Sequence, residues 1–361
     1  MRPSGIESAD EKVSVGTPVG GARRRTAGRT ILLLGVFLAA GLLLGACSQE
    51  GPSILDPRGP RAARIADLWW VLFALGTGVF VVVMALVLLA IFRGRPGPRP
   101  DPTSNGWFAG TGFVAAAGFA IPLVILAAVF GFTLWTLSAL ADPDEPTSLT
   151  IEVLGNQWWW EVRYPEEGVV TANEIHIPAG QPVELKLTAP DVIHSLWVPE
   201  LSGKTDLIPG KTNTMWLEAN EPGEYRGQCA EFCGIQHANM AFLVIAQPPD
   251  EFAAWIAEQR EPADEPTAGS IVQRGQQIFL GSACVYCHTV NGTNASGRLG
   301  PDLTHLASRQ TLAAGTIENN LGNLTGWVVD PQAIKPGNQM PATNLTADEL
   351  QALMAYLMSL R

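Results

Sequence analysis

Within twelve residues, Cys229-Ala-Glu231-Phe-Cys233-Gly-Ile-Gln-His237-Ala-Asn-Met240, the chain presents two thiols, one imidazole and one thioether. A second imidazole, His194, stands upstream in Asp191-Val-Ile-His194-Ser. Thiolate and thioether are soft donors that select copper, and a His/Cys set with a weak Met is the ligand chemistry of electron-transfer copper. A mononuclear blue site needs one Cys, so a second Cys four positions on points to two coppers sharing thiolate bridges. Such a centre carries electrons and does no bond-making chemistry of its own. Two other uses of these residues stay open: a Cys229–Cys233 disulfide in an oxidising compartment, and a structural zinc held tetrahedrally by two Cys and two His. Neither gives Met240 a role.

A second redox signature follows. Cys284-Val-Tyr-Cys287-His288 is a C-x-x-C-H, the attachment site of a c-type haem. The two thiols add to the haem vinyl groups and the adjoining imidazole binds iron. A thioredoxin-like C-x-x-C would want a βαβ context that the region lacks. Zinc would need further ligands, and the only Cys outside these two motifs is Cys47. Cytochromes c pair the His with a Met, which raises the potential. Met340, in Gln339-Met340-Pro341, is the candidate distal ligand. Met354 and Met358 read as the apolar face of a closing helix, which Thr346 and Glu349 open with a capping box. His305 reads as a surface or structural histidine.

The stretches around His194 and Cys229–Met240 resemble subunit II of the haem–copper oxygen reductases, the cytochrome c oxidases, from about Cys47 to Pro248. That resemblance implies a dinuclear copper centre, CuA, with Cys229 and Cys233 bridging the metals and His194 and His237 each binding one. Met240 and the backbone carbonyl of Glu231 would complete the two spheres. It further implies a magnesium ion at the boundary with subunit I, reached by the Glu231 carboxylate. Trp158, in Gln157-Trp158-Trp159-Trp160, matches the tryptophan over CuA where electrons enter. Neighbouring strand residues alternate sides, so three adjacent Trp cannot share one core, and packing against subunit I or the bilayer edge is the other use of these rings. The last ninety residues resemble a small class I cytochrome c, with Gly275 and Phe279 packing against the closing helix and Gly300-Pro301-Asp302-Leu303 passing beside the proximal His288. The implied fold is thus a multidomain membrane protein: a two-helix transmembrane hairpin, a cupredoxin-like β-sandwich and a small all-α class I cytochrome c domain. One departure is plain. Many relatives carry a Glu shortly before the second membrane helix, at the mouth of a proton path. Here Gly106-Trp-Phe-Ala-Gly-Thr-Gly-Phe-Val-Ala115 has no carboxylate, and Asp101 lies too far off to take the role.

Residues 1–46 combine a basic stretch (Arg23, Arg24, Arg25, Arg29) with an apolar run ending in small residues, the pattern of a secretory signal. Leu44-Gly45-Ala46-Cys47 resembles a bacterial lipobox, which implies that Cys47 is lipidated and becomes the mature N-terminus. After an external segment, 47–66, come two uncharged stretches, about 68–92 and 107–140, each longer than the about 20 residues a span needs. The loop between them, 93–106, begins Arg93-Gly-Arg95-Pro-Gly-Pro-Arg99. Positive loops stay cytoplasmic, so the hairpin of 67–140 carries its large head on the external side of a bacterial cell membrane.

In the head, residues 141–248 alternate short β-like runs (Ile151–Leu154, Val183–Leu187, Met215–Leu217, Ala241–Ile245) with Pro-Gly turns, as in a sandwich or barrel. Residues 249–269 give a short helix and a Pro-rich acidic linker, expected to be semi-stiff and solvated, and 270–361 the cytochrome c domain. Internal repeats and nucleotide-binding loops are not seen. The chain has 23 basic and 34 acidic side chains; residues 1–46 hold six and three of these, leaving 17 and 31, so the mature chain is near −14. That balance argues against nucleic acid and suits basic partners such as cytochromes c, whose encounter it would speed. The resemblance therefore implies the subunit of a respiratory cytochrome c oxidase through which electrons enter. A soluble cytochrome c or a respiratory complex would reduce haem c, the electron would pass to CuA, and subunit I would reduce oxygen to water and pump protons. The alternative is the small subunit of a CuA-containing nitric oxide reductase.

Overall fold

The computed structural model describes residues 51–93, 111–143, 145–147 and 149–361, with positions 35 and 41. The signal segment with Cys47, most of the basic loop and Asp101 lie outside the described residues. Two helices dominate the N-terminal part: α1 (Pro60–Phe92) and α2 (Gly112–Ala141), both long and apolar enough to cross a membrane. At 33 residues, α1 is about 50 Å long, well beyond the about 30 Å of hydrocarbon to be crossed. Its first two turns are the surplus. The helix begins at Pro60, inside the stretch 47–66 that the sequence assigns to an external N-terminal segment, and it buries Ala62 and Ala66. The Ala62 amide donates to the Leu201 carbonyl (3.2 Å) and Arg58 N to that of Glu200 (2.7 Å). The Arg61 guanidinium lies 5.1 Å from the Trp216 ring. The far end of α2 is tied to the same place: Trp216 Nε1 donates to the Leu140 carbonyl (3.1 Å), and Arg64 reaches the Ala139 carbonyl. The two helices are therefore antiparallel and share one anchor. In α2 a π turn at Ala116–Ala120 precedes Pro122. Proline has no N–H for the regular i→i−4 bond, and a widened turn accommodates the gap.

The sandwich pairs two five-stranded sheets. One runs β3 (Val169–Ala172), β2 (Trp159–Tyr164), β1 (Thr150–Asn156), β5 (Val183–Thr188), β8 (Asn213–Leu217). The other runs β4 (Glu174–Pro178), β10 (Ala241–Gln247), β9 (Gly223–Cys229), β6 (His194–Trp197), β7 (Thr205–Leu207). Strict alternation of buried and half-buried residues in β1, β2 and β5 follows from the two-residue side-chain period. The inward set, with Ile151, Val153, Trp160, Leu185, Leu196 and Phe242 among it, forms one core. Helix α3 (Pro249–Gln259) closes it, burying Ile256 and stacking Trp255 on His176 at 3.9 Å.

The chain between α3 and the C-terminal domain is exposed in most positions but not free. Ala263 N donates to the Asn291 carbonyl (3.0 Å), and His305 Nε2 lies 3.1 Å from the Glu261 carbonyl. The expected solvated linker is thus strapped to the domain it introduces, because Ala263 finds apolar cover there.

The C-terminal domain contains α4 (Ile271–Leu280), one-turn α5 (Cys284–Cys287), α6 (Leu321–Val329), α7 (Pro331–Ile334) and α8 (Ala347–Leu357). Thr346 and Glu349 form the capping box that opens α8. A small hairpin, β11 (Thr311–Leu312) and β12 (Ile317–Glu318), qualifies the all-α expectation; two-residue strands give no sequence period to read. Helices α4 and α8 cross where Gly275 meets Ala352: a Cβ on Gly275 would stand 2.0 Å from the Ala352 carbonyl oxygen. Phe279 and Tyr356 pack beside that crossing, 5.7 Å between ring centres. Gly275→Ala is expected to force the helices apart at a cost of about 1–3 kcal/mol, read as a lower unfolding temperature of this domain in the full chain. An unchanged transition would mean that the crossing is slack.

Candidate functional site

Backbone pairing brings the donors together before any metal is considered. β6 opens on His194 and β9 ends on Cys229, and the two strands pair with Leu196 opposite Cys229. The Cys229 amide donates to the Met240 carbonyl (2.9 Å), so the loop 230–240 starts and returns at one point. Cys233 and His237 project from that loop. Cys229 Sγ then lies 3.8 Å from Cys233 Sγ and 3.9 Å from His194 Nδ1. Cys233 Sγ is 3.8 Å from His237 Nδ1 and 3.8 Å from Met240 Sδ. The Glu231 carbonyl is 3.2 Å from Cys229 Sγ. His194, Cys229, Cys233 and Met240 are all buried.

These distances decide between the readings left open by the residues. A disulfide needs sulfurs about 2.05 Å apart, and both thiols are free. Sulfurs 3.8 Å apart can both be reached by one ion at a thiolate–metal distance of about 2.3 Å. Zinc would use four donors and leave two over; Met240 and the Glu231 carbonyl stand in the cluster with the rest. A soft set of this size fits a pair of coppers.

Electrostatics prepare the site. His194 Nε2 lies 2.9 Å from Asp191 Oδ1, the carboxylate–histidine pairing that fixes which ring nitrogen faces a metal. Burial disfavours the His194 cation, but its bonds to Cys229 and Asp191 outweigh that and raise its pKa. The bond from Cys233 holds the Cys229 thiol well below its ordinary value, while that same bond and burial push the Cys233 thiol up. Glycine makes room for the ring: a Cβ on Gly155 would meet the His194 imidazole at 3.0 Å.

Trp158 precedes β2 and stands over the loop, its Nε1 donating to the Cys233 carbonyl (3.0 Å); Gln157 Nε2 donates to the same oxygen (2.7 Å). Trp160 is the ring in the core, 6.1 Å from His194. The Glu231 side chain turns outward to Lys204 at 3.3 Å.

In the C-terminal domain, Cys284 and Cys287 frame α5, and His288 follows with its amide bonded to the Cys284 carbonyl (2.9 Å). His288 Nδ1 lies 2.7 Å from the Pro301 carbonyl, which makes that nitrogen the donor and leaves Nε2 free for iron. Burial lowers the His288 pKa, against the pull of the Pro301 carbonyl, which favours the neutral ring that binds metal. A Cβ on Gly300 would stand 2.7 Å from the ring. Met340 is part-buried against the domain core, held by Asn338 Oδ1 on its amide (2.8 Å) and Gln332 Nε2 on its carbonyl (3.0 Å). Met354 is fully in the core, and His305 is tied to Glu261, as a structural histidine would be.

Residues 167–247 match the family "Cytochrome C oxidase subunit II, periplasmic domain", and residues 272–361 match "Cytochrome c". A cytochrome c oxidase subunit 2 from Alkalihalophilus pseudofirmus OF4 is 38% identical over 327 residues, covering 88% of this chain and 94% of the relative. The chain belongs to the cytochrome c oxidase subunit II family. Similar proteins of that name from Bacillus sp. PS3 and Bacillus subtilis 168 are 31% and 33% identical and are covered to 97% and 98%. The β-sandwich is cupredoxin-like, and the subunit II and cytochrome c domains together imply CuA copper and haem c. The chain is thus a membrane-anchored oxidase subunit in which electrons enter by those two groups, working with other oxidase subunits; the nitric oxide reductase alternative is not favoured.

The sequence reading did not single out Asp191 as a ligand partner, although its place three residues before His194 was a usable signal. Asp191→Ala is expected to weaken copper binding by about 10–100-fold, measured by competitive chelator titration of the metal-free full chain; parent affinity would contradict the pairing. Bound thiolates must lose their protons, so copper affinity should rise with pH. It should keep rising above neutrality, because the last proton sits on the raised Cys233 thiol.

Proposed function

We propose that His194, Cys229, Cys233, His237, Met240 and the Glu231 carbonyl hold the dinuclear copper, and that Cys284, Cys287, His288 and Met340 hold the haem. When bound, these groups accept and release single electrons. The observation that carries the assignment is the convergence of three further side-chain donors, His194, His237 and Met240, on an unbonded Cys229–Cys233 pair. The protein supplies the rest. Asp191 orients His194, the Pro301 carbonyl orients His288, and the cores of both domains exclude water from the soft ligands.

The order we propose is donor, haem domain, copper domain, subunit I. Tethering the haem domain raises its effective concentration at the copper domain, so this transfer does not wait on a diffusional encounter. The donor is a soluble cytochrome c or a respiratory complex, favoured by the acidic chain. Trp158, bonded to the Cys233 carbonyl, is the electron-receiving residue beside copper. A magnesium ion at the subunit I boundary would take the Glu231 carboxylate from Lys204. The basic loop beginning at Arg93 puts both helix ends that flank it inside, leaving the copper and haem domains external, with Cys47 as lipid anchor.

The test is spectroscopic. The purified full chain, loaded with copper and haem, should show a mixed-valence dinuclear copper resonance, seven-line where resolved, beside a low-spin haem c. Met340→Leu should change the haem spectrum and leave the copper signal intact, and His305→Ala should alter neither. A haem unchanged by Met340→Leu would remove Met340 from the site and move the distal ligand to His305.

A further inference from the structure

Lys335 is 2% exposed, although its neighbours Pro336 and Gly337 are at the surface. It belongs to the haem domain, on the loop between α7 and Met340, yet its ammonium reaches across to the copper domain. Lys335 Nζ donates to the carbonyls of Trp158 (2.8 Å), Asn239 (2.7 Å) and Ala313 (2.9 Å). An ammonium has three N–H donors, and all three are used. Two acceptors are copper-domain carbonyls: one belongs to the candidate electron-receiving tryptophan, the other to the residue before Met340. The third comes from the haem domain's own hairpin.

That hairpin carries independent marks of the same contact. Ala313 and Ala314 lie in the left-handed region, at φ 53° and 59°, a conformation that residues with a Cβ adopt only when their surroundings impose it. The consequence is visible in where the two carbonyls point. Ala313 offers its oxygen to Lys335, and Ala314 offers its own to the Ala241 amide at 2.9 Å, one residue past Met340. The same seam includes Gln236 Nε2 on the Pro336 carbonyl (2.6 Å) and the Gln310 amide on Glu174 Oε1 (2.7 Å). Burial draws the Lys335 pKa down to about 7, against the opposing pull of the Cys233 sulfur. Three carbonyls on the ammonium act the other way, so the buried charge is solvated by the protein.

We propose that Lys335 is a positioning residue for internal electron transfer, a cationic clamp that seats the haem-bearing domain on the copper end of the sandwich. The inference rests on the copper and haem assignment above. Lys335 touches neither group; it fixes the carbonyls around which the two domains meet, and with them the path length between the centres.

The test uses the intact oxidase with Lys335→Met, which keeps the bulk and removes the donors, and Lys335→Gln, which keeps two. In Lys335→Met, amide hydrogen exchange at Ala241 and Gln310 should rise at least tenfold while that at Cys229, inside the sandwich, is unchanged. Electron transfer from haem to copper after a laser pulse should slow at least tenfold and become dependent on solvent viscosity, because each electron then waits for redocking. Lys335→Gln should show both effects at about threefold. Parent-like exchange and transfer would overturn the proposal, as would faster seam exchange with unchanged transfer. If Lys335→Met fails to assemble, Lys335→Gln decides alone, parent values again overturning the clamp. Loss of the copper or haem spectrum from the parent protein would instead refute the site assignment.

Discussion

Two sulfur atoms kept 3.8 Å apart without a bond are the constraint around which the head is built. In an oxidising compartment adjacent thiols tend to pair, so holding Cys229 and Cys233 at this separation requires geometry fixed from outside. The sheet supplies it. Cys229 is the last residue of β9, locked by pairing with β6 and by its amide bond to Met240. Cys233 is held through its carbonyl, which receives both Gln157 and Trp158. The backbone of each cysteine is thus held from two elements. A rigid soft-donor cage of this kind suits one-electron exchange, since the ligands need not move when the charge changes.

The same principle extends outward in both directions. Below, the first turns of α1 and the end of α2 converge on Trp216 of β8, so the helical hairpin and the sandwich are joined at one place. Above, the haem domain meets the copper loop through a seam made largely of backbone carbonyls. Electron transfer falls off steeply with distance, and a fusion joined only by a loose tether would leave that distance undefined. The strap at Glu261 and Ala263 and the strained hairpin at Ala313 and Ala314 both shorten the freedom of the join.

Much of this was legible in the chain. Cys229, Cys233, His237 and Met240 declare themselves by type and spacing, and C-x-x-C-H at Cys284 is a covalent requirement with few other uses. The membrane spans follow from uninterrupted apolarity, and Thr346 with Glu349 marks the start of α8. Strands β1, β5, β8 and β10 show in their alternation. What escaped was whatever depends on backbone atoms or on long-range pairing. Lys335 is a lone cation in a polar loop, and its three acceptors are carbonyls that any residue could supply. The early start of α1 escaped because the uncharged run begins only at Leu68, whereas Arg61 and Arg64 lie in the helix and reach Trp216 and the end of α2. The hairpin at 311–318 escaped because its strands are two residues long.

The central claim is that one polypeptide holds two copper ions between Cys229 and Cys233 and one haem on Cys284 and Cys287. Its most direct test is elemental analysis of the full chain purified in detergent apart from its partner subunits, after loading to saturation. The account predicts two copper atoms and one iron atom per polypeptide, with the iron resisting extraction by acidified organic solvent because the haem is covalently attached. One copper, or zinc in its place, or iron that extracts freely, would contradict it.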